Sequence, residues 1–173
     1  MRTWEDCAAF HGHICAGLAG GYQAARLATK LLELSFSDDE QVVCIAENDA
    51  CGVDAVQVMT GCSVGKGNLL FHMTGKQAFS FYNRTNGKSV RLVMKAKPKE
   101  MSKEESLCYI LEQEPEVLFD SMEPRMEAPS RARFFSSFVC EDCGETAGEY
   151  WLRVQEGKKL CVDCAKRYDR FHV

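Results

Sequence analysis

Apolar residues in the first two-thirds of the chain recur mostly at helical or strand spacing. Leu18, Tyr22 and Ala25 are three to four residues apart, which is the period of a helix with one buried face. Thr3 and Ser102 stand at the start of such stretches, where a side-chain oxygen can accept a hydrogen bond from the first helical turn. The pattern predicts helices over residues 4–10, 14–34, 51–59, 102–113 and 116–122.

Other apolar runs are typical of strands, because they are short and rich in β-branched and aromatic side chains. The sequence QVVCIA is an example, and Asn86-Gly87 farther along marks a tight hairpin turn. The predicted strands cover residues 41–46, 68–74, 78–82 and 89–95. Together with the helices they predict an α+β fold, in which a mainly antiparallel sheet packs against helices.

The pattern changes after residue 123. Residues 124–137 hold prolines and arginines with little periodicity, which is typical of a linker. Beyond them, residues 150–154 and 158–160 predict a β-hairpin with its turn at Glu156-Gly157, and residues 162–168 predict the start of a helix. We therefore predict a core over residues 1–123, a linker over residues 124–137 and a small module over residues 138–173.

Composition narrows the class of protein. The chain has 173 residues, a net charge of −4 and a pI of about 5.6, so its bulk charge favours neither nucleic acid nor an anionic membrane as a partner. No apolar run approaches the roughly 20 residues that span a bilayer. The opening sequence MRTWEDCAAFHGH lacks the apolar stretch of a signal peptide. We predict a cytoplasmic protein with reduced cysteines and no membrane partner.

Ten cysteines are present, and four of them form the pattern C-x2-C-x17-C-x2-C. This is the spacing of a closed tetrathiolate zinc site, in which two short turns each present two sulfurs to one ion. We predict one structural zinc per chain in a treble-clef or zinc-ribbon module, with disulfides or an iron site as alternatives. A piece this small does not fold by core burial alone, so the metal would supply much of its folding free energy. The predicted ligands are Cys140, Cys143, Cys161 and Cys164.

The charges of this module are mixed in sign. Six basic residues between positions 153 and 170 are matched by seven acidic residues between positions 141 and 169. Binding to nucleic acid depends on a patch of positive charge facing the phosphates, and no such patch is evident in the sequence. Nucleic acid stays open as a partner but is not favoured, and a structural role or a protein partner is the better prediction.

A second group of potential metal ligands lies upstream. In FHGHICAG, His11, His13 and Cys15 alternate at the entrance of a predicted helix, whose N-terminus favours a thiolate. Cys51 begins another predicted helix, and Cys62 lies in the glycine-rich loop TGCSVGKG. Each residue alone has an ordinary interpretation, for example a helix cap or a small buried thiol. Because all five lie at the boundaries of elements, we predict that they share a second metal site.

Asp54 and Gln57 follow Cys51 at positions i+3 and i+6, roughly on one helix face. They are predicted to be ligands or to hold ligands in place. Two catalytic alternatives are open: Asp54 as the general base for a metal-activated water, or Cys51 as a thiolate nucleophile with His13 as its base. A mixed His/Cys set suits zinc, nickel or copper better than magnesium or calcium. We therefore predict a second transition metal, zinc or nickel.

These same segments resemble a known family. FHGHICAGLAGGYQAARLA is similar to the opening of the formylmethanofuran dehydrogenase FmdE family, and ENDACGVDAVQVMTGCSVGKGNL is similar to its second block. GKQAFSFYNRTNGKSVRL resembles the hairpin that follows, and the four-cysteine module is similar to a zinc finger that some members carry. Ala16 departs from the pattern, which usually has proline after the cysteine.

The resemblance implies an α+β core, a homodimer and a Cys/His pocket able to hold a metal. The family takes its name from association with the molybdenum or tungsten enzyme that reduces carbon dioxide onto methanofuran. Our leading hypothesis is therefore a metal-binding accessory or metal-handling protein. The alternatives are a metal- or thiol-dependent enzyme that uses the Cys/His/Asp pocket, and a regulatory protein whose zinc finger binds nucleic acid or protein.

Overall fold

The computed structural model describes residues 2–96 and 100–167. The chain divides into two compact units, Met1–Ala132 and Arg133–Val173. Helices and a five-stranded sheet form the first unit, and two short hairpins form the second. Within the described ranges, none of the helices has the length and apolar character needed to cross a bilayer.

Two helices of the first unit begin at the capping residues that the sequence predicted. Thr3 accepts a hydrogen bond from the backbone N–H of Asp6, and the Asp6 carboxylate accepts one from the backbone of Thr3. Ser102 and Glu105 repeat this capping box at a later helix. The helices are α1 (Trp4–His11), α2 (Ala16–Leu32), α3 (Gly52–Thr60), α4 (Lys103–Glu112) and α5 (Pro115–Leu118).

The sheet of the first unit is built from β1 (Val42–Ala46), β2 (Leu69–Phe71), β3 (Ala78–Asn83), β4 (Ser89–Met94) and β5 (Phe119–Met122). Their spatial order is β2-β1-β3-β4-β5. β1 and β2 are parallel, whereas every other neighbouring pair is antiparallel. The predicted α+β fold with a mainly antiparallel sheet is therefore confirmed.

The helix predicted over residues 116–122 is wrong in its second half. The helix α5 ends at Leu118, and the next four residues form β5, which pairs with β4. Phe119 lies opposite Met94 in this pairing and is buried. The backbone groups of β4 need partners on that side, and β5 supplies them while it buries Phe119. This long-range pairing overrides the local helical pattern.

The main hydrophobic core lies between α2 and the sheet. Leu27 and Leu32 of α2 share one buried cluster with Phe79, Phe81 and Leu92 of β3 and β4. Burying a side chain of this size stabilises the fold by about 1.5–3 kcal/mol. The cluster therefore fixes the position of α2, and with it the position of the residues at the N-terminal end of this helix.

The helices α2 and α3 approach each other at glycines. A Cβ built on Gly21 would lie only 1.9 Å from the carbonyl oxygen of Gly52, so the two backbones are in direct contact. One turn earlier, a Cβ on Gly17 would lie 3.4 Å from the Cβ of Cys51. The close approach of the two backbones therefore places the first turn of α2 beside the start of α3.

The segment predicted to be a linker is held along the first unit as far as Ala132. Tyr82 Oη donates a hydrogen bond to the carbonyl of Met126 at 2.7 Å. The backbone N–H of Ala132 donates to the carboxylate of Glu40 at 3.1 Å. Since these contacts use backbone groups of the segment, they leave no periodic pattern in its sequence.

The second unit contains two hairpins where the sequence predicted one: β6 (Ser137–Val139), β7 (Thr146–Gly148), β8 (Leu152–Gln155) and β9 (Lys158–Cys161). The strands β8 and β9 form the predicted hairpin, and both residues of its Glu156-Gly157 turn have positive φ. Residues 162–164 form a turn and residues 165–167 have no regular secondary structure, in place of the predicted start of a helix, and residue 168 lies outside the described residues. In the part of the module that the structure describes, two hairpins and a single 3-10 turn (Glu149–Trp151), without an α-helix, favour the zinc-ribbon form.

Candidate metal centres

Four potential ligands of the first unit converge on one point, and we name them the His/Cys cluster. His11 ends α1, Gly12 turns the chain with a φ of 88°, His13 follows, Cys15 caps α2 and Cys51 precedes α3. Their donor atoms all lie within 4.8 Å of one another. Metal–ligand bonds of about 2.0–2.3 Å place the ligands of one tetrahedral ion at such separations.

The ring of His11 is held by Asp54. Its Nδ1 lies 2.7 Å from Oδ2 of Asp54, and Oδ1 of Asp54 accepts a hydrogen bond from Gln57 at 3.2 Å. Because an ionised carboxylate only accepts, this contact places a proton on Nδ1, and in the neutral ring Nε2 then keeps its lone pair. Nε2 is buried and has no hydrogen-bond partner among the described residues. Leaving a buried acceptor without a partner is unfavourable, and a metal ion in the His/Cys cluster would satisfy it.

The two thiols of the cluster have different surroundings. Cys15 Sγ accepts a hydrogen bond from the backbone N–H of Leu18 at 3.3 Å, in the first turn of α2. Burial raises the pKa of the Cys51 thiol, and the neighbouring Cys15 thiol adds to this rise. A thiol of raised pKa is a poor nucleophile near neutral pH, whereas a bound metal displaces its proton. These contacts favour metal ligation over the alternative of a free Cys51 nucleophile.

Both carboxylate oxygens of Asp54 are engaged in contacts with neighbouring side chains. One of its carboxylate oxygens is occupied by His11 and the other by Gln57. His13 is exposed, and the centre of its ring lies 4.4 Å from that of His11. Of the two roles that the sequence left open for Asp54 and Gln57, the contacts support the one in which they hold a ligand in place.

The turn before Cys51 is fixed by buried polar contacts. Glu47, directly after β1, forms a bidentate ion pair with Arg91 of β4, with N–O distances of 2.5 and 2.9 Å. The guanidinium holds the pKa of the Glu47 carboxyl below its usual value. The side chain of Asn48 donates to the carbonyl of Lys76 at 2.8 Å. The sequence carries no local signal for the ion pair, because 44 residues separate its partners.

The structure does not bring Cys62 to the His/Cys cluster, although the sequence predicted that it would be a ligand. Its Sγ lies 3.5 Å from the carbonyl oxygen of Val42, and the residue is fully buried in the main core with Cys44. Burial raises the pKa of the Cys62 thiol to about 11. Cys62 therefore fits the ordinary interpretation of a small buried thiol.

Two open cavities adjoin the His/Cys cluster. One, of about 670 Å³, is lined by His13, Cys15 and Ser102, and the other, of about 400 Å³, is lined by His11 and Cys51. The position of Ser102 at the start of α4, beside the cluster, was not predicted from the sequence. An ion held here would have an accessible side, which is typical of exchangeable or catalytic sites and not of closed structural ones.

The four cysteines of the module form a second, separate donor set. Their sulfurs lie within 4.8 Å of one another, and those of Cys143 and Cys161 are 3.9 Å apart. A tetrahedron with Zn–S bonds of about 2.3 Å has edges of about 3.8 Å. The backbone N–H of Cys161, 3.3 Å from Cys140 Sγ, contributes most to lowering the pKa of the Cys140 thiol to about 6. Geometry and donor chemistry both fit a structural zinc.

The two sites define a metal-binding protein of two parts, an α+β core with an accessible His/Cys cluster and a module with four converging sulfurs. A family model described as "FmdE, Molybdenum formylmethanofuran dehydrogenase operon" matches residues 10–131. The chain belongs to the FmdE family. A second model, described as "Prokaryotic dksA/traR C4-type zinc finger", matches residues 135–170.

The chain is also similar to two known proteins. The chain is 30% identical to a protein of Archaeoglobus fulgidus described as a probable S-adenosyl-L-methionine-binding protein, over 92% of this chain and 51% of the relative. It therefore spans about half the length of this curated relative. It also resembles the crystal structure of a tungsten formylmethanofuran dehydrogenase FmdE-like protein from Syntrophus aciditrophicus, with a TM-score of 0.67 and 26% identity. That likeness covers 92% of this chain and 88% of the other.

Proposed function

We propose that the chain is a metal-binding accessory or metal-handling protein. Its His/Cys cluster takes up an exchangeable transition ion, zinc or nickel, and its module holds one structural zinc. The observation that carries the proposal is the buried Nε2 of His11, which has no partner among the described residues and belongs to a cluster with two thiols. Imidazole and thiolate donors together select such ions over magnesium and calcium.

The names of the relatives support a link to molybdenum or tungsten enzymes. The family description refers to a molybdenum enzyme's operon, and the solved relative is described as similar to a component of a tungsten enzyme. We propose that this chain serves an oxidoreductase of that kind by supplying or holding a metal ion. The cytoplasm suits this role, because its thiols stay reduced and free to bind metal.

Elemental analysis of the purified chain is expected to find about two metal ions per chain, one in each donor set. The ion of the accessible His/Cys cluster should exchange with a chelator such as EDTA far faster than the module zinc. The Cys51→Ser variant should lose only the exchangeable ion, because it removes one sulfur from the cluster and none from the module. Mass spectrometry of the metal content as a function of chelation time measures both the rate of metal exchange and the loss of metal in the variant.

The matched control is Cys108→Ser, since Cys108 is an exposed thiol of α4 outside both donor sets. Its metal content should equal that of the unchanged chain. The same total in Cys51→Ser and in His13→Ala as in the control would show that the His/Cys cluster binds no ion.

Replacing Asp54 with asparagine is expected to weaken metal binding at the His/Cys cluster by about 10–100-fold, because Asp54 orients His11 without being one of the four ligands. The neutral amide is a weaker partner than a carboxylate for the His11 ring N–H. Competition with a chromophoric chelator measures the affinity. An unchanged affinity in Asp54→Asn, with a large loss in His11→Ala, would exclude the orienting role.

We also propose that the chain is a homodimer and that the module supplies the contact. Several aromatic side chains of the module are exposed. Phe134 is fully exposed, and Tyr150 and Trp151 are exposed by 60% and 56%. The ring centres of Phe135, Tyr150 and Trp151 follow one another at 5.5 and 5.1 Å. Exposed apolar patches mark interaction surfaces. The equal numbers of basic and acidic residues in 133–167 favour a protein surface over a phosphate backbone as partner.

The double variant Tyr150→Ala/Trp151→Ala is expected to shift the dimer toward monomer in analytical ultracentrifugation. Aromatic residues that act as hot spots at the centre of an interface each contribute about 2 kcal/mol or more, so loss of both should raise the dissociation constant by about 1,000-fold. Retained zinc would show that the module is still folded. The control is Phe71→Ala, which removes an exposed aromatic ring from the first unit. If the double variant were as dimeric as the control, the interface would lie elsewhere. If the unchanged chain were itself monomeric, the homodimer would be excluded.

A further inference from the structure

A third cavity of the first unit, of about 760 Å³, touches none of the four residues of the His/Cys cluster. It combines apolar side chains with an excess of basic ones. Its walls include Leu34, Phe36, Met59, Arg2, Arg26 and Lys30. Small-molecule sites have volumes of about 300–1,000 Å³ and combine apolar walls with a few convergent polar groups, and this cavity has both properties.

The basic groups of this cavity differ in how far they are available to a ligand. Within residues 2–96 and 100–167, neither Arg2 nor Arg26 forms an ion pair with a carboxylate, although Arg26 Nη1 donates a hydrogen bond to Gln23 Oε1 at 2.7 Å. Lys30 is bonded to Glu116. The acidic residue of the lining, Asp6, already accepts the backbone N–H of Thr3 at 2.8 Å as part of the cap of α1. The lining therefore carries three basic side chains, Arg2, Arg26 and Lys30, against one carboxylate, which leaves an excess of positive charge.

The aromatic ring of Phe36 lies among the basic side chains of this cavity. Phe36 is 47% exposed. The guanidinium carbon of Arg2 lies 5.6 Å from the centre of its ring, and Lys66 Nζ lies 5.8 Å from it. A neighbouring cavity of about 420 Å³ shares Arg2, Asp6 and Phe36 with the first one and adds Lys66. The ring of Phe36 thus borders both cavities, with basic groups of each around it.

We propose that these two cavities bind a nucleoside polyphosphate, with the base against Phe36 and the phosphates against Arg2, Arg26 and Lys30. A bare anion would leave the ring of Phe36 unused, and a neutral aromatic molecule would leave the basic groups unused. Aromatic side chains stack on nucleobases, and guanidinium groups bind phosphate oxygens through paired hydrogen bonds. A base that carries several phosphates uses both parts of the site.

The test is isothermal titration of the full, zinc-loaded chain with ATP, in the presence of magnesium and at low salt. We expect ATP to bind at least about tenfold more tightly than adenosine or tripolyphosphate, because each lacks one half of the contacts. Arg2→Ala and Phe36→Ala should each weaken ATP binding by about tenfold. Lys76→Ala, which removes an exposed charge in the turn before β3, is the control and should bind as the unchanged chain does.

Three results would overturn the proposal. The first is no binding of ATP at low salt, and the second is tripolyphosphate binding as tightly as ATP, which would leave a simple polyanion site. The third is loss of ATP binding in Cys51→Ser, because nucleotides also coordinate metals and the ligand would then lie on the ion of the His/Cys cluster. Arg2→Ala keeps the test decisive if Phe36→Ala changes the thermal stability, because Arg2 is exposed.

Discussion

Changing Cys161 to serine is expected to unfold the second unit while the first stays folded. Cys161 supplies one of the four converging sulfurs, and its backbone N–H donates to Cys140 Sγ. A structural zinc contributes an apparent binding free energy of about 10–16 kcal/mol to modules of this kind near neutral pH. Burial of Leu160, the bulkiest buried apolar side chain in the module's described part, contributes about 1.5–3 kcal/mol. The metal therefore outweighs the hydrophobic core as the source of stability.

Metal analysis and two-dimensional amide NMR spectra of the Cys161→Ser variant check this result. Zinc content should fall by about one ion per chain, and the amide signals of the module should collapse to the narrow range of an unfolded chain. Cys108→Ser is again the matched control, because it removes a thiol that belongs to neither donor set. Collapse of the core signals as well would show that the two units fold as one.

Replacing Gly21 with alanine is expected to destabilise the first unit by about 3 kcal/mol or more and to disrupt the His/Cys cluster. The added Cβ would lie 1.9 Å from the carbonyl oxygen of Gly52, and two packed backbones cannot both keep their positions at that distance. Since Cys15 lies at the start of α2 and Cys51 just before α3, separating these helices moves two of the four ligands apart. Urea unfolding measures the first effect, and metal affinity measures the second.

The neighbouring position provides the control. A Cβ on Gly20 would meet Sδ of Met94 at 3.4 Å, which is ordinary contact with a flexible side chain. Alanine in a helix is favoured over glycine by about 0.5–1 kcal/mol, so Gly20→Ala should leave stability equal or slightly higher. If Gly21→Ala were as stable as Gly20→Ala, the two helices would have room to separate and the close contact would not position the cluster.

The sequence predicted the elements whose signals are local. The N-caps Thr3 and Ser102 start helices as expected, because a cap and its partner are three residues apart. The spacing of the module cysteines predicted their convergence for a similar reason, since each C-x2-C pair forms one turn.

Contacts between distant segments were harder to predict. The strand β5 replaced a predicted helix because its partner β4 lies elsewhere in the chain. His11 meets Asp54 across 43 residues. The position of both segments at element boundaries and the resemblance to a family predicted a shared site, but not this pairing. Cys51 and Cys62 flank opposite ends of α3, whose nine residues span about 13 Å, so both cannot ligate one ion; the sequence placed both in one site and the structure separates them.

The Glu47–Arg91 ion pair links the geometry of the His/Cys cluster to a residue that lies far from its donors in the sequence. All four donors lie within the first 51 residues, yet the turn that carries Cys51 is fixed by an arginine 40 residues farther along. On the ribosome the donors therefore emerge before the contact that arranges them, and the module cysteines emerge last. The geometry of the His/Cys cluster is therefore a property of the whole folded first unit and not of the short segments that carry its four donors.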